Sequence, residues 1–330
     1  MKFGLISLAH VHAPGYAEQI VKSGNKLVGV WDDDEDRLRL FLGRFKTKVY
    51  DSLDDLLSDP EIEAVVITSP TSDHPEHIKK ALEHGKHILC EKPLSTNVEE
   101  GKKILEIVKA SSCKFMMSFP SRLDPLHLSV KKAINSGIIG DILEVKVRIC
   151  HSGAIDGWFS DKSWFVDVAK AGGGGFMDLG VHGADFLRWL LEAEAFEVSG
   201  LTFNLTGRYE IDDHGIAIIR FSNGVIGVLE AGWAQSHGYK PLEVYGTQGS
   251  VLKLGSDSLK IYSKKLGGWF TPDVLGKREN IIERFVSYVE GRKTPLATAE
   301  DGYKATEIIQ ATYISSKLDG RKVSIPLGPR

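Results

Sequence analysis

In the first third of the chain, apolar residues fall in short unbroken runs separated by stretches in which they recur every three or four positions. Residues 2–8 form a brief apolar run, and residues 14–23 have helical spacing that ends at Gly24, a residue suited to a left-handed cap. The pattern then predicts a strand over 26–31, a helix over 35–45 and a shorter helix over 52–57. Residues 64–69, Ala-Val-Val-Ile-Thr-Ser, are rich in β-branched side chains and do not alternate with polar ones, as expected of a strand covered on both faces. A helix over 77–84 running into Gly85, a strand over 87–90, a helix over 98–110 and a strand over 114–118 follow. Doubly covered strands alternating with helices predict a doubly wound parallel sheet.

Beyond residue 120 the rhythm changes. A helix is predicted over 125–136, then a strand over 142–150 in which Glu144, Lys146 and Arg148 alternate with apolar residues, leaving one face solvated. Residues 216–221 and 225–229 flank Ser222-Asn223-Gly224, whose Asn-Gly step supplies the positive φ angles of a hairpin turn. Residues 242–245 and 251–254 flank Gly246-Thr247-Gln248-Gly249 in the same way, and 197–205 and 259–262 also read as strands. Helices return at 280–290 and 302–318, before a last extended stretch at 323–326. This predicts an α/β chain with a doubly wound domain over 1–120, followed over 121–330 by an α+β domain with an open, mainly antiparallel sheet.

Composition narrows the classes. The 330 residues, 42% hydrophobic and 26% charged, suit a soluble protein with two cores. Lys and Arg number 41 against 44 Asp and Glu, so a net charge of −3 provides no basic field for nucleic acid. Cys90, Cys113 and Cys150 share no metal-type spacing, which disfavours a disulfide framework or structural zinc and fits a reducing compartment. Lys2 and the apolar residues after it superficially resemble a secretory signal, but the run is brief and His10 and His12 interrupt it. Nothing elsewhere reaches the roughly 18 apolar residues of a membrane span, so a cytoplasmic protein is expected.

The turn after the first strand is where a dinucleotide fingerprint, Gly-x-Gly-x-x-Gly, would place backbone amides at a pyrophosphate. Here Ser7, Ala9 and His12 occupy the glycine positions, so the turn equally suits an α/β protein that binds no nucleotide. His10 and His12 have no carboxylate or Cys at ligand spacing and read as loop histidines; no metal is expected. Asp32 ends the second strand, about 20 residues on, where a carboxylate accepts the ribose hydroxyls of NAD. Asp33 and Asp34 follow, with no Arg or Lys immediately beside them for a 2′-phosphate, although Arg37 and Arg39 keep NADP open. The same acidic run would also cap a helix.

Cys90-Glu91-Lys92-Pro93 lies at the carboxyl edge of the predicted sheet, where a lysine near a nicotinamide would ease loss of a hydroxyl proton. Gly172-Gly173-Gly174-Gly175 leaves a backbone able to approach a ligand, and a helix with an apolar face follows. Asp178 and His182, four apart, project from the same side of that helix as an incipient acid/base pair.

In this order the pieces resemble the glucose–fructose oxidoreductase, inositol dehydrogenase and MocA (Gfo/Idh/MocA) family over nearly the whole chain. The match rests on Ala64 to Pro70 with Thr71 and His74, on Ala81 to Leu94 with its Glu-Lys-Pro motif, and on Arg122-Leu123-Asp124-Pro125. Trp164, Asp178-x-Gly180-x-His182, Tyr245-Gly246-Thr247-x-Gly249-Ser250 and Glu300-Asp301-Gly302 extend it. The resemblance implies an N-terminal Rossmann domain and a C-terminal sheet that commonly serves homo-oligomer contacts, in a dimer or tetramer. It implies hydride transfer between NAD or NADP and a secondary alcohol or ketone of a sugar, cyclitol or related polyol. By carry-over, Lys92 would polarise the hydroxyl, His182 take its proton and Asp178 orient them. Ser7, Leu8, Ala9, His10, Asp32, Asp33, Thr68, Ser69, Pro70, Thr71, His74 and Glu91 would line the cofactor, with Arg122 and Trp164 facing nicotinamide or substrate. The family usually carries Gly at positions 7, 9 and 12 and often Asn at 71, and this chain departs at all four. Two other readings remain: an NAD-retaining enzyme of the same family that cleaves glycosides, and a non-catalytic sugar or nucleotide sensor.

Overall fold

The computed structural model describes residues 1–236, 241–253, 258–274 and 276–328. It forms two compact units, Met1–Phe119 with Glu279–Tyr303 and Pro120–Arg278 with Lys304–Arg330.

In the first unit, strands β1 (Lys2–Ile6), β2 (Lys26–Trp31), β3 (Lys48–Val49), β4 (Ala64–Ile67), β5 (His87–Cys90) and β6 (Phe115–Met117) alternate with helices α1 (Ala13–Lys22), α2 (Glu35–Leu42), α3 (Leu53–Ser58), α4 (His74–Glu83) and α5 (Val98–Ala110). The strands make one parallel sheet in the order β3-β2-β1-β4-β5-β6, doubly wound with its switch point between β1 and β4. Burial explains the unbroken apolar runs: all four residues of β4 are buried, as are Phe3, Leu5 and Ile6 of β1. Two-residue β3 gave no signal because so short a strand has no period to read. Helix α4 starts three residues earlier than the apolar spacing suggests, with Pro75 in its first turn where a missing N–H costs nothing.

Residues 279–303, assigned from the sequence to the second domain, pack with the first unit. Phe285 of helix α9 (Ile281–Val289) lies 6.0 Å from Phe3, ring to ring, and Met117 N donates to Ala297 O at 2.9 Å. Helical periodicity reveals an apolar face without saying which core will receive it.

The second unit contains α6 (Pro125–Asn135), β7 (Ile142–Cys150), α7 (Val168–Ala171), α8 (Gly175–Leu191), β8 (Ala195–Phe203), β9 (His214–Phe221), β10 (Ile226–Gly232), β11 (Leu242–Gly246), β12 (Gly249–Lys253), β13 (Leu259–Ser263), β14 (Gly268–Phe270), most of α10 (Ala299–Lys317) and β15 (Val323–Ser324). Among the described residues its sheet runs β14-β13-β12-β11-β7-β10-β9-β8-β15, antiparallel except where β7 and β10 pair in parallel. Asn223-Gly224 turns β9 into β10 as the sequence predicts, but of the two only Gly224, at φ 86°, takes a positive φ. Helix α8 packs over β7 and β10, where Val145, Val147 and Leu229 are buried. On the opposite face Ile216 and Ile218 of β9 and Leu201 of β8 are exposed. The end of the strand predicted at 251–254, Leu254, lies outside the described residues.

Candidate active site

The carboxyl ends of the parallel strands collect most of the expected cofactor residues of the first unit. Ser7, His10, Asp32, Thr68, Ser69, Thr71, His74, Glu91 and Lys92 are buried there; Leu8, Ala9 and Pro70 are half-buried and Asp33 is exposed. Ser7 has a left-handed backbone, φ 66°, where the fingerprint has its first glycine, a conformation that costs a non-glycine residue about 1–2 kcal/mol. Its side chain offsets the strain: Oγ donates to Asp32 Oδ2 at 3.1 Å and accepts from Ala9 N at 3.2 Å. Leu8 N donates to the same Asp32 oxygen.

Asp32 Oδ1 accepts from Asp34 N at 2.7 Å and from Arg37 Nε at 3.0 Å. The sequence shows no cation immediately beside Asp32, but the first turn of α2 swings Arg37 back onto it. Arg37 also reaches Asp33 at 2.6 Å and Asp34 at 3.3 Å, so three carboxylates share its charge.

The fold brings Glu91 to the two loop histidines. Glu91 Oε1 accepts from Tyr16 Oη at 2.7 Å and lies 2.8 Å from His12 Nδ1, while Oε2 accepts from Lys92 N at 3.0 Å and lies 4.0 Å from His10 Nε2. Burial would raise this carboxyl, but the flanking imidazoles of His10 and His12 hold it well below the usual carboxylate range. Sequence spacing could not reveal the partnership because Glu91 and His12 are 79 positions apart. The donor atoms of His10, His12 and Glu91 are close enough to surround a cation. However, His12 N donates to His10 Nδ1 at 3.2 Å, which places the neutral ring's proton on Nε2, so His10 turns an N–H and not a lone pair toward Glu91.

His74 lies 2.8 Å from Pro93 O through Nδ1 and 3.2 Å from Ser69 O through Nε2. Burial, then neighbouring His77, push its imidazole down to about 4, so it is neutral at physiological pH. It ties the β4 loop to the cis Lys92–Pro93 turn. Thr71 Oγ1 is buried without a hydrogen-bond partner among the described residues, an unmet polar group suited to a ligand at this edge.

In the second unit, α8 is buried along almost its whole length. Between Gly175 and Arg188 only Asp178 and His182, one turn apart, escape full burial. Asp178 Oδ2 accepts from Trp233 Nε1 at 2.9 Å. Rings then step from Trp233 to Phe159 at 4.7 Å, Phe159 to Phe165 at 4.9 Å and Phe165 to Trp164 at 4.0 Å. Trp164 was expected from the sequence and Trp233 was not; Trp233 follows directly on the Ala-Gly that ends β10, three residues beyond the strand predicted over 225–229.

The four-glycine run serves a different purpose from the one expected. Instead of leaving room for a ligand, it lets the start of α8 press against the chain itself. A Cβ on Gly174 would lie 1.9 Å from Asp212 O, and one on Gly173 2.3 Å from Tyr313 Oη. Asp212 accepts from Gly174 N at 3.0 Å and Phe176 N at 2.9 Å, so a residue distant in sequence caps α8. Arg122, expected to face the nicotinamide or substrate, forks onto buried Asp185 of α8 at 2.9 and 2.6 Å. A second cluster able to surround a cation, Cys150, His214 and Glu230, already has Arg148 Nε at 2.7 Å on its carboxylate. Among the described residues no helix is long and apolar enough to cross a membrane.

Residues 3–119 match a family model described as an oxidoreductase family with an NAD-binding Rossmann fold, and residues 127–252 match the GFO/IDH/MocA C-terminal domain. The scyllo-inositol 2-dehydrogenase (NAD(+)) of Bacillus subtilis (strain 168) is 31% identical over 315 residues, covering 90% of this chain and 88% of its own. The inositol 2-dehydrogenase of Rhizobium meliloti (strain 1021) is 27% identical, with 98% of this chain and 99% of the relative covered. Among solved structures, an oxidoreductase from Agrobacterium radiobacter in complex with NAD+, L-tartaric acid and magnesium superposes with a TM-score of 0.84. That likeness covers 98% of both chains at 19% identity and concerns the fold alone.

Proposed function

The chain belongs to the Gfo/Idh/MocA family of oxidoreductases with an NAD-binding Rossmann fold, and we propose that it oxidises a secondary alcohol of a cyclitol or sugar, or reduces the matching ketone. The observation that carries this reading is α8, a helix buried from Gly175 to Arg188 except at Asp178 and His182. The names of the inositol dehydrogenases among its relatives support a polyol substrate.

Residues of the first unit fit a dinucleotide: Ser7 keeps the left-handed turn of the fingerprint, and Thr71 offers an unmet hydroxyl. Ser7, Leu8, Ala9, His10, Asp32, Asp33, the stretch from Thr68 to Thr71, and Glu91 would hold the cofactor. His74 would act through the turn it braces. Bound NAD supplies the hydride acceptor. NAD is favoured over NADP because Arg37, the cation nearest Asp32, is already shared among three carboxylates. Lys92 binds and polarises the reacting hydroxyl, and His182 takes its proton. Asp178, steadied by Trp233, orients the imidazole, while Arg122 acts through Asp185 to hold α8 and Trp164 screens the reacting groups. Copies of the chain associate through the open sheet face carrying Ile216 and Ile218, and free cysteines fit a cytoplasmic setting.

The test is single-turnover absorbance at the NADH band across a panel of sugars and polyols, comparing the wild type with Lys92→Met and His182→Ala. Both variants should lose at least about 100-fold in the chemical step. Undiminished turnover in both overturns the assignment.

A further inference from the structure

The first turn keeps the path of the glycine fingerprint but not its chemistry. Where glycines build the turn, free backbone amides at the helix N-terminus receive the pyrophosphate. Here most of those amides have acceptors inside the protein. Leu8 N donates to Asp32, Ala9 N to Ser7 Oγ at 3.2 Å, His10 N to Thr68 O at 2.9 Å, His12 N to His10 Nδ1 at 3.2 Å and Ala13 N to His10 O at 3.0 Å. Residue 14 is proline and has no N–H. Only Val11 and Gly15 keep amides without an acceptor among the described residues.

A side chain stands where the third glycine would be. His12 is 53% exposed, and its Nδ1 lies 2.8 Å from the buried carboxylate of Glu91. Because an ionised carboxylate only accepts, Nδ1 is the donor of that bond. Nε2 on the far side of the ring is thereby left for a ligand, and the charged form of the ring presents N–H and positive charge there. His10 Nδ1 is occupied by His12 N, and Tyr16 and Lys92 N fill the rest of Glu91, so none of these groups competes for His12 Nε2.

We propose that His12 is the phosphate ligand of this turn: through Nε2 it gives a pyrophosphate oxygen the hydrogen bond and charge that the amide nest gives elsewhere. The inference rests on the dinucleotide reading above, and its test separates the two. ADP-ribose, which carries the pyrophosphate, and adenosine, which does not, are titrated into the full chain by calorimetry and ligand-observed NMR. His12→Gln should weaken ADP-ribose about tenfold while leaving adenosine unchanged, which also shows that the variant is folded. His12→Gly, though it restores the fingerprint residue, should be as weak as His12→Gln because most of the turn's amides remain occupied. Wild-type affinity for ADP-ribose in either variant, or equal weakening of adenosine, overturns the role of His12. Failure of the wild type to bind ADP-ribose or NAD at all overturns the dinucleotide reading and this inference with it.

Discussion

The Arg122–Asp185 pair gives the sharpest quantitative prediction. Asp185 is fully buried on α8, Arg122 is 9% exposed, and two parallel hydrogen bonds of 2.9 and 2.6 Å join them. Removing one partner takes both of these hydrogen bonds from a charge held in the interior, which costs about 3–5 kcal/mol. Replacing both with apolar residues of similar size removes both desolvation penalties with the pair, and such exchanges are often neutral or stabilising. Arg122→Met and Asp185→Leu should therefore each lower the unfolding free energy by about 3 kcal/mol, and the double variant by less than about 1 kcal/mol. Urea unfolding followed by tryptophan fluorescence reports the relevant unit, since Trp158, Trp164, Trp189, Trp233 and Trp269 all lie in it and only Trp31 lies in the other. If the two single losses simply add, the two side chains are not coupled as their paired hydrogen bonds indicate. The same stable double variant tests the sequence expectation for Arg122: a guanidinium that touched substrate would cost substrate affinity, whereas one that braces α8 would not.

Three further predictions use other parts of the fold. His74 is buried with its imidazole held at about 4, so the unfolded chain takes up a proton at higher pH than the folded one; stability should decline as pH falls from about 6.5 to 4, by up to about 3 kcal/mol, and His74→Asn should flatten that slope in pH-dependent urea titrations. Gly174→Ala should cost about 3 kcal/mol or more, because its Cβ would fall 1.9 Å from Asp212 O, whereas Gly15→Ala, with nothing within 4 Å, should be neutral or stabilising by up to about 1 kcal/mol in thermal melts. Ile218→Lys, on the exposed sheet face, should turn an oligomer into a monomer by light scattering, and a monomeric wild type would refute association through that face.

The chain's periodicities carried most of the fold because burial imposes them locally. Strands β2, β5 and β7 and helix α5 fall on the residues their patterns predict. The misses are physical too: β3 and β14 are too short to show a period, and α9 has a clear apolar face but a destination set by Phe3 and the first unit's core. For the candidate site, spacing within one element was enough to pair Asp178 with His182, because a helix fixes what lies four residues apart.

What no local pattern determined were the partners brought from afar. Glu91 meets His12, Trp233 meets Asp178, Asp212 caps α8, and Asp185 takes Arg122, across separations of 79, 55, 36 and 63 residues. The sequence by itself settled which residues have chemistry to offer and which face of an element they occupy, since both follow from side-chain type and a short repeat. Tertiary structure alone decided which of them were already engaged. Hydrogen bonds and buried ion pairs act over about 3 Å of space, whatever their distance along the chain. So the glycine run packs against the chain itself, Arg122 forks onto Asp185, and a histidine in a glycine's place is the exposed polar group of its turn.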